Sequence, residues 1–161
     1  MAVRHRLIRR SPEVVWKILA DAERYGDWVV GTSQAELDEG LWPEVGAALR
    51  YEIRIGPITL HNQTVVRRSE PPTILELEAD SGPLGTARIA MELRSWGEHT
   101  LIILDEHPLR GAGGVLHNPL LDAAQQIRSR AMLARLARLC EQDEGPSGIT
   151  PDPRRPRPHT A

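Results

Sequence analysis

The sequence contains no phenylalanine and only one lysine, one cysteine, four tryptophans and two tyrosines in 161 residues. Aromatic packing therefore has to come from tryptophan and tyrosine alone. The single cysteine, Cys140, excludes an internal disulfide framework and favours a reducing compartment. The longest strongly apolar run, residues 101–104, is far too short to span a bilayer. The first ten residues are charged and lack the apolar core of a secretory signal, so we expect a cytoplasmic protein without stable membrane insertion.

An excess of charge of one sign is also missing. There are 20 basic and 22 acidic side chains, a net charge of -2, whereas nucleic-acid-binding domains usually carry a clear basic excess. We therefore expect no nucleic-acid partner. The six histidines form no His-x-x-x-His pair and no Cys-x-x-Cys occurs, so we expect neither a metal site nor a cofactor. The glycine-rich residues 111–114 lack the following Lys-Ser/Thr of a phosphate loop, which favours a flexible gate or a helix entry.

The chain is organised as a succession of short elements. Ser11 and Pro12 predict a helix start, and apolar spacing predicts a helix over 12–20, followed by a brief helix from Asp21 to near Gly26. Alternating polar and apolar residues and turn residues predict strands over 3–9, 49–55, 58–66, 73–79, 86–95 and 100–107. Their short connections imply an antiparallel sheet. The longest helix is predicted over 118–140.

The last part of the chain differs in composition. Five of the 13 prolines lie in the last 17 residues, which contain no aromatic residue and one aliphatic residue, Ile149. We therefore expect one folded domain over residues 1–143 and a disordered tail rich in proline and arginine over residues 144–161.

Several segments resemble a known superfamily. The segment RRSPEVVWKILADAERYGDW, with Pro12, Trp16 and Trp28, resembles the opening of START and Bet v 1-like proteins, and specifically their polyketide cyclase/dehydrase and lipid-transport branch. PEVGAALRYEI resembles its turn into the third strand, and GPLGTARIAMEL followed by WGEHTLIILDEHPLRG resembles its last hairpin. The resemblance covers about residues 3–140. It implies an α+β helix-grip fold, in which a curved antiparallel sheet, with two short helices near the N-terminus, wraps around a long C-terminal helix.

The superfamily uses this scaffold for carriers, cyclases, hydrolases and ubiquinone-binding proteins, so the resemblance alone does not identify the chemistry. No catalytic motif of a characterised member is present, and no catalytic residue is transferred from the family. The residues that would face the space between sheet and helix have to be found from strand register and helical spacing.

The first hairpin provides a register. If Gly56 and Pro57 form its loop, Ile53 lies opposite Leu60 and Tyr51 lies opposite Asn62. These four side chains would then share the inner face. Tyr51 and Asn62 would be polar positions within an otherwise apolar wall.

The last hairpin is treated in the same way. A loop at residues 97–98 pairs Met91 with Leu104 and Ile89 with Glu106, which directs Glu106 inward. A bulge would exchange the two faces, because Leu101 and Ile103 are also apolar. Glu106 would then be an exposed carboxylate at the end of a strand.

The long helix carries an apolar stripe with many small residues: Leu120, Ala123, Ala124, Ile127, Ala131 and Ala134. Arg128 lies beside this stripe. Arg128 could pair with an inward Glu106, or the two could hold a polar end of a ligand.

These observations predict an internal cavity that binds a small hydrophobic or amphipathic molecule, such as a lipid, a quinone or a polyketide-like compound. The predicted ligand-binding residues are Tyr51, Ile53, Leu60, Asn62, Ile89, Met91, Leu104, Glu106, Leu120, Ala124, Ile127 and Arg128. Residues 111–114 and the loop over 28–32 would form its gate. The alternative is a polyketide cyclase or dehydratase in which Glu106 transfers protons, as the candidate catalytic residue, and Tyr51 or Arg128 stabilises an enolate. A third possibility is a partner-binding domain with a filled interior. The oligomeric state is left open.

Overall fold

The fold was obtained as a computed structural model, which describes residues 2–32, 35–55, 57–82, 85–110 and 119–142. The strands are β1 (Ala2–Ile8), β2 (Glu36–Glu39), β3 (Ala48–Ile55), β4 (Ile58–Glu70), β5 (Ile74–Asp80), β6 (Thr86–Trp96) and β7 (His99–Arg110). The helices are α1 (Pro12–Leu19), α2 (Tyr25–Trp28) and α3 (Pro119–Gln142), with a 3₁₀ turn at Ala22–Arg24 before α2. The predicted elements occur in the predicted order, with the strand β2 in addition.

The seven strands form one antiparallel sheet in the order β1-β7-β6-β5-β4-β3-β2. Both predicted hairpin registers are confirmed: Ile53 pairs with Leu60 in the first and Ile89 pairs with Glu106 in the second. Register shifts in three of the strand pairs add local bends to the sheet.

Two strand predictions were incomplete. The sequence analysis missed β2, because its segment ELDE is almost entirely charged and has no apolar alternation. Charged residues are common on edge strands, where they discourage pairing with another chain, and β2 lies at one edge of the sheet. β4 continues to Glu70, four residues beyond its predicted end.

The first helices begin as the sequence predicts. Ser11 occupies the N-cap position of α1 with an extended backbone, although its side chain makes no capping hydrogen bond. Pro12 follows as the first helical residue, where the missing backbone N–H costs nothing. The side chain of Asp21 accepts a hydrogen bond of 3.0 Å from the backbone N–H of Glu23. Val15, Ile18 and Leu19 of α1 are buried in the core.

The apolar stripe predicted on α3 is not the most buried face of the helix. Ile127 is 69% exposed, and Ala131 and Ala134 are only half-buried. The buried stripe lies on nearly the opposite side of the helix and is formed by Ser129, Met132, Leu133, Leu136, Ala137 and Cys140. The spacing of alanine and isoleucine indicated an apolar face of the helix but not the surface against which that face packs. The larger side chains of the other stripe fill the core better.

The C-terminus of α3 is held by the segment that follows β1. The guanidinium of Arg10 donates hydrogen bonds to the carbonyl oxygens of Cys140 (3.1 Å) and Glu141 (3.3 Å). The last carbonyls of a helix have no partner within the helix and carry partial negative charge, so a cation is favourable there. The backbone N–H of Arg9 also donates to the Glu141 side chain over 3.2 Å. These contacts fix one end of α3 beside the edge strand β1.

Candidate functional site

A cavity of about 350 Å³ lies where β3 and β4, the loop after α2 and the middle of α3 meet. Its apolar walls come from Val30 of the loop, Ile53 of β3, Leu60 of β4, and Ile127 and Ala131 of α3. A cavity of this volume is in the range of small-molecule sites, which are typically lined by apolar side chains with a few polar groups.

The polar groups of the cavity include one buried amide. Asn62 is 4% exposed, and its Nδ2 donates a hydrogen bond of 3.1 Å to Oγ of Ser81, which also lines the cavity. Its Oδ1 is buried and accepts no hydrogen bond from the described part of the chain. An unsatisfied buried acceptor costs on the order of 1–3 kcal/mol, so this oxygen is an open hydrogen-bonding position beside the cavity.

Two arginines complete the polar lining. Arg54 of β3 and Arg128 of α3 are exposed and lie at the solvent side of the cavity. Within the described ranges neither guanidinium forms an ion pair, whereas Arg50 pairs with Asp38 and Arg88 pairs with Glu76. The mouth of the cavity is therefore electropositive.

A cluster of three buried hydroxyls lies further along the same inner face. Tyr51 and Thr64 belong to β3 and β4, and Tyr25 reaches them from α2. Oη of Tyr51 is 2.8 Å from Oγ1 of Thr64, Oη of Tyr25 is 3.1 Å from the same atom, and the two phenol oxygens are 3.4 Å apart. If each hydroxyl donates to the next, the ring satisfies all three donors.

Burial raises the pKa of Tyr25 well above its ordinary value, and the neighbouring phenol of Tyr51 raises it further. The hydrogen bond from Thr64 and the positive charge of Arg128 act in the opposite direction but are smaller. The ring of Tyr25 also packs edge-on against Trp28, with centroids 5.2 Å apart. The phenol of Tyr25 is thus neutral at physiological pH and packs against an aromatic neighbour.

Glu106 points inward, as its register predicts, and is 8% exposed. Oγ of Ser129 donates a hydrogen bond of 3.1 Å to its Oε1. Ser129 belongs to the buried stripe of α3, whereas Arg128 lies at the cavity. Glu106 does not line the cavity formed by β3, β4 and α3.

The structure brings five of the predicted ligand-binding residues to one cavity: Ile53, Leu60, Asn62, Ile127 and Arg128. Others lie away from it. Met91 and Leu104 are buried in the core, Ile89 packs against the core, and Tyr51 belongs to the hydroxyl cluster. The side chains at 120 and 124, and the predicted gate residues 111–114, lie outside the described residues.

Some cavity residues were missed as ligand contacts. Val30 and Gly31 come from the predicted gate loop, whose position between α2 and the first long hairpin was the available signal. Ser81 follows β5 and reaches Asn62 only through the folded sheet, so nothing in the local sequence indicated it.

A second, more open cleft of about 440 Å³ lies at β3 and β4 and shares Asn62 with the first cavity. Its lining is polar and largely self-satisfied, because Asp38 binds Arg50 and accepts a hydrogen bond of 3.1 Å from Gln63. The cavity under α3 has apolar side chains in its walls, which the cleft lacks, and is the stronger candidate.

The described ranges contain no group of three or more histidine, cysteine, aspartate or glutamate side chains that could hold a metal ion. None of their helices has the length and apolar character that crossing a bilayer requires.

The architecture and the cavity define a class of protein: a curved sheet around a long C-terminal helix, with an internal site between them. Residues 2–141 match the family described as Polyketide cyclase / dehydrase and lipid transport, and the chain belongs to this family. It is therefore a member of the START and Bet v 1-like superfamily, as the sequence resemblance implied. No curated protein sequence matches the chain.

Solved structures confirm the helix-grip fold. The chain is similar to the Zhui aromatase/cyclase from Streptomyces sp. R1128, with a TM-score of 0.70 and 16% identity over 88% of this chain and 93% of that chain. It is similar to Ara h 8.0201, with a TM-score of 0.71 and 9% identity over 88% and 97% of the two chains. TTHA0849 from Thermus thermophilus gives a TM-score of 0.69 and 15% identity over 89% and 99% of the two chains. At these identities the likeness establishes the fold alone.

Proposed function

We propose that this domain binds one small apolar or amphipathic molecule in the cavity between β3, β4 and α3. The observation that carries the proposal is the cavity itself, about 350 Å³ in volume with walls from Val30, Ile53, Leu60, Ile127 and Ala131. Membership of a family described by polyketide and lipid chemistry supports a ligand of this type.

The energetics of the site agree with this function. Ile127 leaves 69% of its surface exposed in the free protein although it lines the cavity. A ligand that covers apolar surface is stabilised by about 25 cal/mol per Å² removed from water. Of the predicted ligand-binding residues Tyr51, Asn62 and Glu106, only Asn62 lies at this cavity.

The first experiment is native mass spectrometry of the purified protein, followed by solvent extraction and identification of any released compound. Titration with 1-anilinonaphthalene-8-sulfonate then tests the position of the site. Leu60→Trp, which fills the cavity, should weaken binding of the dye at least tenfold. Val3→Trp places the same ring on an exposed position of β1, away from the cavity, and should leave the affinity unchanged. Equal affinities for the two variants would refute this location.

A cyclase or dehydratase is the second candidate, and the buried carboxylate of Glu106 favours it. Buried carboxylates suit proton transfer when a substrate reaches them. Because Glu106 lies away from the described cavity walls, binding without turnover is the leading proposal.

Glu106→Gln separates the two functions, since the amide still offers an oxygen to Ser129. A synthetic tetraketide thioester would be incubated with the protein. The reaction mixture would then be examined for a cyclised product that has lost one water. A carrier gives no product above the rate without protein, and the substitution leaves dye binding unchanged. In an enzyme, the substitution should lower turnover at least a hundredfold. Loss of folding or equal loss of both properties would count against either role for Glu106.

A cytoplasmic location remains a prediction that follows from the single cysteine. The absence of a nucleic-acid partner likewise remains a prediction, based on the charge balance.

A further inference from the structure

We infer that the cavity selects a ligand that carries a hydroxyl group at its buried end and an anionic group at the cavity mouth. This inference rests on the proposed function, because it specifies what the same cavity binds.

The buried end is defined by Asn62 and Ser81. The Nδ2 of Asn62 is engaged by Oγ of Ser81, which leaves Oδ1 without a donor among the described residues. The hydroxyl of Ser81 accepts that bond and still has its own proton to donate. The pair therefore presents one acceptor and one donor side by side, and a hydroxyl group matches both.

Burial makes this pair selective. Asn62 is 4% exposed, so water reaches its Oδ1 poorly in the free protein. A ligand that brings only a methyl group or an ether to this end leaves the acceptor unsatisfied, which is the most effective way that proteins reject an analogue. The apolar side chains of Ile53 and Leu60 around the pair offer no alternative partner.

The mouth is defined by Arg54 and Arg128. Both guanidinium groups are exposed, line the cavity and have no ion pair in the described part of the chain. Arginine matches carboxylate geometry with two parallel hydrogen bonds. An anionic group at this position can reach water and the guanidinium together, while the apolar body of the ligand contacts Ile127 and Ala131.

Four naphthalene probes test the two ends independently: 6-hydroxy-2-naphthoic acid, 6-methoxy-2-naphthoic acid, 2-naphthol and 2-methoxynaphthalene. In the hydroxy acid, a rigid apolar body separates a hydroxyl from a carboxylate. We expect it to bind most tightly, and we expect methylation of the hydroxyl to weaken binding about tenfold, in both the acid and the naphthol pair.

Asn62→Leu tests whether the Asn62 amide causes the preference for the hydroxy probe over the methoxy probe. In this variant the hydroxy and methoxy acids should bind within about twofold of each other. Gln63→Leu, a matched change on the outer face of the same strand, should keep the tenfold preference. A wild-type preference that persists in Asn62→Leu would overturn the role of Asn62.

Arg128→Gln tests the mouth. It should weaken binding of the hydroxy acid about two- to fivefold, the range of exposed ion pairs, and leave 2-naphthol unchanged. Arg130→Gln removes the same charge from an exposed position away from the cavity and should change neither. Equal losses for the acid and the naphthol would overturn the role of Arg128.

The outcomes separate the two levels of the proposal. If the wild-type protein binds the hydroxy and methoxy probes equally, the hydroxyl inference fails while the apolar cavity stands. If none of the four probes binds and the dye also fails, the proposed function fails with it.

Discussion

The space between the sheet and α3 has a packed region and an open region, and they differ in the side chains that face it. In the packed region the buried stripe of α3, including Met132, Leu133 and Leu136, joins the core cluster of the sheet. In the open region Ile127 and Ala131 of the same helix face the cavity with Asn62 and Leu60. Within five residues of helix, exposure falls from 69% at Ile127 to 4% at Met132.

The strands show the same contrast. β6 and β7 direct large apolar side chains inward, including Met91, Leu93, Ile102 and Leu104, all 2% exposed or less. The inner face of β3 and β4 carries Asn62, Thr64 and the phenol of Tyr51 instead. The interior is packed where both the sheet and α3 supply large apolar side chains. It is open where the sheet supplies polar side chains and α3 supplies alanine. We therefore expect stability and the proposed binding to depend on different regions.

The largest expected effect comes from breaking the packed region. Leu136 is 1% exposed, so Leu136→Ala removes buried contacts and leaves a cavity. We expect the free energy of unfolding to fall by about 2–5 kcal/mol, measured by urea denaturation. Ala131→Ser is the control, because it changes a side chain of the open region with little loss of packing. Ala131→Gly is unsuitable, because glycine weakens helices. A cost below about 1 kcal/mol for Leu136→Ala would show that the packed region is not tightly packed.

The next effect concerns the hydroxyl cluster, which borders the open region along β3 and β4. Tyr25→Phe removes one member and leaves the hydroxyls of Tyr51 and Thr64 with an incomplete ring. We expect a loss of about 1–2 kcal/mol in the same denaturation measurement. The double variant Tyr25→Phe/Tyr51→Phe should cost less than the sum of the single variants, because both changes break the same ring. Strict additivity would contradict a shared network.

The raised pKa of Tyr25 predicts how stability depends on pH. The folded protein holds the Tyr25 proton more tightly than the unfolded chain, whose tyrosines ionise near pH 10. The stabilisation is therefore fully present below pH 10 and is lost as pH rises above it, by about 1.4 kcal/mol per pH unit for this one group.

Urea denaturation between pH 9 and pH 11.5 measures this slope. Tyr25→Phe should flatten it, and the single lysine of the chain keeps competing titrations in this range few. An identical slope in the wild-type protein and in Tyr25→Phe would rule out Tyr25 as its source.

Strand pairing was predictable from the sequence because it depends on local information. The loops predicted at residues 56–57 and 97–98, together with the period of two, determine which residues lie opposite each other, so Asn62 and Glu106 were assigned to the inner face correctly. The site needed more than this. Two inward polar residues can lie in separate parts of the same interior, and here Asn62 lines the cavity while Glu106 contacts Ser129.

The rotation of α3 was not predictable by the same means. Both sides of the helix carry apolar residues at helical spacing, and its C-terminal position is fixed by Arg10, which is 130 positions away from Cys140 in the sequence. Ile127 lines the cavity from the predicted stripe, which lies nearly opposite the buried stripe of α3. Long-range contacts of this kind leave no periodic signal in the sequence.

The smallest effect on stability is expected from a substitution in the open region, which should affect binding instead. Ile127 is 69% exposed, so Ile127→Ser should change the free energy of unfolding by no more than about 0.5 kcal/mol. It should nevertheless weaken binding of 1-anilinonaphthalene-8-sulfonate about three- to tenfold, because the isoleucine supplies part of the apolar wall.

Leu41→Ser is the matched control for this substitution. Leu41 is 68% exposed and lies outside the cavity, so the change should leave both stability and dye affinity as they are. If Ile127→Ser destabilised the protein as much as Leu136→Ala, the two regions would be one continuous core. If it spared the dye affinity as Leu41→Ser does, this face of α3 would take no part in binding.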